Sequence, residues 1–146
     1  MPWFKRIPVD KQQLEQGIAA LEAKTSAELR IFIERKTPQK RPALERALEL
    51  FYQLEMQATQ GRNGVLIYLA YKDHQCAIIG DQGIDQFVDQ TFWQQRVAQM
   101  TAEFKQGEYT RGILAAMETI GDELAAHFPI QPDDVNELDN EVIIND

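Results

Sequence analysis

Five side chains able to share one bound charge are spread over three stretches of the sequence. Arg62 and Asn63 open the run RNGVLIYLAY, Asp81 and Asp85 flank the turn in GDQGID, and Glu28 opens ELRIFIE. Carboxylate and amide oxygens are hard donors that suit calcium or magnesium, and a guanidinium suits a phosphate oxygen. Each residue also has an ordinary use. Asp81 is well placed to cap a helix, Asn63-Gly64 is favourable turn chemistry, and Glu28 can pair with Arg62 or Arg30. Asp85 and Asp89 can be solvated charges at a helix start, where the dipole favours them.

The metal reading therefore needs geometry, and the elements supply it. Asp10 and Gln13 form a capping box before Leu14, Ile18 and Leu21 at helical spacing, which predicts a helix to about Lys24. ELRIFIE alternates as a strand covered on both sides. ERKTPQKRP is a loop, and Pro42 starts a second helix with Leu44, Leu48, Phe51 and Leu54 as its apolar stripe. VLIYLAY is continuous enough for a central strand. Lys72-Asp73-His74 turns the chain, and QCAIIG returns antiparallel. Helical patterning follows from Gly83 through Phe104, then again from Tyr109 to His127, where the histidine suits a helix C-terminus and Pro129 stops it.

The order α-β-α-β-β-α-α predicts an α/β fold: a three-layer α/β/α sandwich with a small mixed sheet flanked by helices. Strands one and two should be parallel, which brings Glu28 to the edge where Arg62 and Asn63 enter. Strand three runs back, so Asp81 leaves at that same edge and Asp85 lies one helical turn on. The expected site is thus Asp81, Asp85, Glu28 and Asn63 around a divalent ion, with Arg62 on a phosphate. Ligands in open α/β sheets usually sit at the opposite, carboxyl edge. That edge offers Lys36, Thr37, Asp73 and His74, which read as surface turn chemistry.

Other chemistry is not encoded in recognisable form. There is no G-x-S-x-G elbow, no phosphate-binding G-x-x-x-x-G-K loop, and DQGIDQFVD fails the EF-hand spacing. Only His74 and His127 are present, and neither has zinc spacing with Cys76. Cys76 alternates within a strand and reads as a small buried hydrophobe. The net charge of −8 disfavours nucleic acid. Six of the carboxylates (Asp133, Asp134, Glu137, Asp139, Glu141 and Asp146) fall after Pro129, which leaves the remainder at about −2. These residues suggest a domain over 1–128 and an acidic tail over 129–146, drawn by charge toward the basic loop ERKTPQKRP. At 146 residues and 44% hydrophobic content the chain can build one real core. No run reaches the ~20 apolar residues of a membrane span, and no signal segment is visible, so an integral membrane protein is not expected and a cytoplasmic location is.

TSAELRIFIE, RNGVLIYLAY, AIIGDQGI and HFPIQPDDVNELDNEVI together resemble the TPM-domain family, which includes the chloroplast thylakoid acid phosphatase and bacterial relatives of unknown function. The ending resembles a small branch with an HFP…NELP-like tail, in which Asp139 here replaces a common proline. The resemblance implies an α/β/α sandwich, calcium binding and phosphatase activity for some members, and a membrane-associated partner of LemA type for others. The combined reading is a binding or regulatory domain with a divalent-cation site for calcium or magnesium. The alternative is a metal-dependent phosphatase acting on phosphomonoesters, so enzymatic status is left open.

Overall fold

A computed structural model describes residues 7–132 and 142–145. Helix α1 (Lys11–Glu22) begins as the capping box requires: the Gln13 amide donates to Asp10 Oδ1 at 3.1 Å, and the Gln13 side-chain amide donates to Oδ2 at 2.9 Å. Strand β1 (Glu28–Glu34) pairs in parallel with β2 (Gly64–Ala70), and helix α2 (Ala43–Gln53) makes the crossover. Strand β3 (Gln75–Gly80) returns antiparallel to β2. The helical patterning after Gly83 divides into a single turn, α3 (Gln82–Asp85), and α4 (Gln90–Phe104). Asp89 separates them, its carboxylate accepting from the Phe92 amide at 3.2 Å. Helix α5 (Tyr109–His127) completes the helices.

The sequence reading places no strand beyond α5. Val142–Asn145 nonetheless form β4, which pairs in parallel with β1 and gives a four-stranded sheet in the order β3-β2-β1-β4. Its run of Val142, Ile143 and Ile144 has strand propensity, but three residues after an acidic stretch carry little periodic signal. The six acidic residues of the expected tail, and with them its contact with the basic loop, lie outside the described residues.

Alternation along the strands builds two cores. Leu29, Ile31 and Ile33 of β1, with Val65, Ile67 and Leu69 of β2, face α1, α4 and α5. Phe32, Leu66 and Tyr68 face α2. The layers are helix, sheet, helix, as expected.

One apolar stripe is corrected. Helix α2 turns Ala43, Ala47, Leu50 and Phe51 inward, leaving Leu44 60% and Leu48 48% exposed. The sheet beneath already presents Phe32 and Tyr68, stacked with ring centroids 6.2 Å apart, so alanines fit where leucines would not.

Candidate functional site

The sheet's registers carry the expected residues to one end. Glu28 lies level with Gly64, and the Asp81 amide donates to the Gly64 carbonyl at 3.0 Å. The loop leading into β2 wraps this end. The Arg62 amide donates to the Thr59 carbonyl at 3.2 Å, and the Asn63 amide donates to Thr59 Oγ1 at 3.2 Å. The Gly83 amide donates to the Arg62 carbonyl at 2.8 Å, joining the loop to α3. Gly83 is obligatory for that approach. A Cβ there would stand 2.2 Å from the Gly61 carbonyl oxygen and 2.6 Å from that of Arg62. Gly83→Ala is therefore expected to cost about 1–2 kcal/mol and to shift the amide resonances of Gly61 and Arg62. An unchanged melting temperature would show that the loop yields freely.

Within this frame Arg62 and Asp81 meet each other. Arg62 Nε donates to Asp81 Oδ2 at 2.8 Å and Nη2 to Oδ1 at 3.1 Å, the forked pairing that guanidinium and carboxylate favour. Oδ1 also accepts from the Gln82 amide at 2.8 Å, so Asp81 caps α3 as well. Hydrogen bonding to Asp81 raises the Arg62 pKa above its ordinary value. The residue expected on a phosphate and the first residue expected on a metal thus neutralise one another.

The other three take no part in that ion pair. Glu28 turns to Glu22 at the end of α1, with which it shares a side-chain hydrogen bond. Glu22 Oε2 also accepts from the Leu29 amide at 3.0 Å. Burial, aided by the Glu28 charge, pushes Glu22 up to about 8, against the pull of the Leu29 amide and Arg30. Asp85 is exposed on α3. Asn63 is only 4% exposed, and its Oδ1 has no hydrogen-bond partner among the described residues. Among those residues no three His, Cys, Asp or Glu side chains are grouped to hold a metal ion. A hard cation at this edge would have to be held by the orphaned Asn63 oxygen, the carbonyls of Gly61 and Arg62, and the Asp81 carboxylate once Arg62 is displaced.

The carboxyl edge of the parallel strands carries a second polar assembly that sequence reasoning missed. Glu34 accepts from Arg46 Nε at 2.8 Å and Nη2 at 3.1 Å, from the Tyr68 hydroxyl, and from Asn145 Nδ2 at 3.1 Å. Arg46 also reaches Glu49 at 2.6 Å. Burial works to raise the Glu34 carboxyl, but the hydrogen bonds from Arg46 and Tyr68 outweigh it and hold Glu34 below the usual range. The full set of donors gives this assembly the character of a structural clamp. The nearby turn is tied down too: Asp73 Oδ2 accepts from the Thr37 amide at 2.9 Å, and His74 Nδ1 lies 2.9 Å from the Tyr109 hydroxyl. Cys76 is part-buried, its thiol 3.6 Å from Thr101 Oγ1, and burial raises its pKa, which suits a packing residue.

A mixed sheet between helix layers, with an ion-paired loop closing its amino edge, defines an α/β/α domain of known type. The family model for the TPM domain matches residues 8–123, and the chain belongs to that family. The BA42 protein of the psychrophilic bacterium Bizionia argentinensis, solved by NMR, is 32% identical, with a TM-score of 0.86 over 99% of this chain and 100% of that one. Two further NMR structures share the fold at lower identity. An N-terminal domain from P. gingivalis is 13% identical with a TM-score of 0.66, covering 82% of this chain and 78% of that one. One from Corynebacterium glutamicum is 15% identical with a TM-score of 0.59, covering 77% and 70%. No curated protein matches the chain. No helix among the described residues is long and apolar enough to cross a membrane.

Proposed function

We propose that the chain is a binding or regulatory TPM domain whose amino edge takes up a divalent cation, calcium in preference to magnesium. The observation that carries this reading is Asn63 Oδ1, a buried acceptor with no partner among the described residues, in the loop whose Gly61 and Arg62 carbonyls approach Gly83. A buried polar atom left unpaired costs about 1–3 kcal/mol, and a cation would recover that loss. Irregular donor sets of this kind suit calcium better than magnesium, which demands near-octahedral geometry. Arg62 serves as the resident positive charge on Asp81 and leaves when the ion arrives. Glu28, engaged with Glu22, and Asp85, exposed on α3, stand outside its main ligands in this reading. A membrane-associated partner of LemA type stays an expectation of the family resemblance.

Calcium titration of the intact chain, followed by melting and by amide NMR, tests this. At about 100 times the dissociation constant the folded state should gain about 2.7 kcal/mol. The amides of Asn63, Gly64 and Asp81 should move, and Asp81→Asn should lose both responses. No change in melting temperature up to millimolar calcium overturns the site. Metal-dependent turnover of a phosphomonoester, lost in Asp81→Asn, would favour the phosphatase reading instead. Arg62 would then have to exchange Asp81 for phosphate.

A further inference from the structure

We propose that the free edge of β3 binds an extended segment of another protein, apolar along its length and acidic at the end that meets Lys72 and Lys105. Strand β3 lies at one margin of the sheet. The hydrogen bond from the Asp81 amide to the Gly64 carbonyl fixes which of its residues bond inward. Residues 64 and 81 form a hydrogen-bonded pair, so 66 with 79, 68 with 77 and 70 with 75 do too. Cys76, Ile78 and Gly80 therefore turn their backbone N–H and C=O groups away from β2. None of those groups has another partner among the described residues. Natural edges are commonly blunted by lysine or proline, and QCAIIG contains neither.

A groove of about 530 Å³ runs alongside this margin. Trp93, Val97, Ala98 and Thr101 of α4 form one wall, Ile78 the floor, and Leu44 of α2 the opposite rim. Gly80 lets the Trp93 ring lie against the strand, since a Cβ there would meet it at 2.7 Å. The exposed Leu48 lies one turn beyond Leu44, so the apolar surface extends past the groove along α2. Backbone groups awaiting partners beside apolar pockets for alternate side chains are what strand addition requires.

Charge selects the occupant. Lys105 lines the groove near Cys76, and Lys72 lies in the turn just before β3. Lys72 and Lys105 have no ion pair among the described residues; of the carboxylates beside them, Glu103 pairs with Arg111 and Asp73 accepts from Thr37. In a chain of net charge −8, two lysines without an ion pair at this end favour an acidic end on the incoming segment.

The test uses the full chain and two labelled peptides, EEVTVTV and KKVTVTV. The acidic peptide should bind about tenfold more tightly at low salt, and the double variant Lys72→Glu/Lys105→Glu should reverse the order. At saturation, amide exchange should slow at Cys76, Ile78 and Gly80 by at least about tenfold, while Ala77 and Ile79, already paired, stay unchanged. A peptide N-methylated on alternate residues should lose that protection. Equal affinity for both peptides, no protection at the three amides, or self-association of the chain through this margin in place of peptide binding would each overturn the proposal.

Discussion

Arg46→Met should cost about 3–5 kcal/mol of stability at pH 7, and clearly less near pH 4. The arginine is the chief partner of Glu34, a carboxylate buried between β1, β2 and α2. Methionine fills much of the same volume but leaves that charge unpaired, with only Tyr68 and Asn145 still donating. The sign of the pH dependence follows from the direction of the shift. In the native protein the Glu34 carboxyl is held below its ordinary value, so its stabilising contribution is present above that value and fades as pH falls through the depressed one. In the variant, burial acts without Arg46 to oppose it, so Glu34 is protonated more readily and the deficit narrows in acid. Urea melts of both proteins at the two pH values decide the matter. A loss below about 1 kcal/mol at pH 7 would mean that water or another cation takes the arginine's place.

This clamp also marks where sequence reading stops. Alternation in ELRIFIE and VLIYLAY, the cap at Asp10 and the hairpin through Lys72–His74 are local patterns, and each element follows from a few neighbouring residues. Facing is not local. Leu44 and Leu48 read as core because they share a helical row with Phe51, yet the large rings already on the sheet decide which row packs inward. The candidate site was legible as a place and not as a constellation. Parallel pairing brings Glu28, Arg62 and Asp81 to one edge as expected. Which charge answers which depends on side-chain reach, and Arg62 takes Asp81 while Glu28 takes Glu22. Glu22 could have been suspected, since it ends a helix only six residues before Glu28 across a tight turn.

That carboxyl pair yields the second large effect. Glu22→Gln should stabilise the protein at pH 8 by about 1–3 kcal/mol, or roughly 3–10 °C in melting temperature. Native Glu22 takes up its proton at about 8 instead of 4.5, so between those values the folded chain holds a proton that the unfolded chain has released. Stability contributed by this group is therefore complete below about pH 4.5 and is lost as pH rises toward 8. Glutamine keeps a hydrogen-bonding group toward Glu28 without the titration, so the variant's stability should be flatter across that range. Thermal melts at half-unit pH steps check this, and parallel curves for the two proteins would show that Glu22 is ionised throughout. The full linkage energy of such a shift would be larger, but Glu22 is only half-buried and water screens part of it.

Strand β4 has a consequence for how the molecule is made. Asn145 reaches Glu34 across 111 positions of the chain, and Val142 aligns with Ile31. Closing so wide a loop is slow compared with forming the hairpin of β2 and β3. On the ribosome, β1 must therefore wait with one flank unzipped until the nascent chain has been synthesised through residue 145. During that interval the half-built sheet is open to mispairing on the side that the finished protein covers.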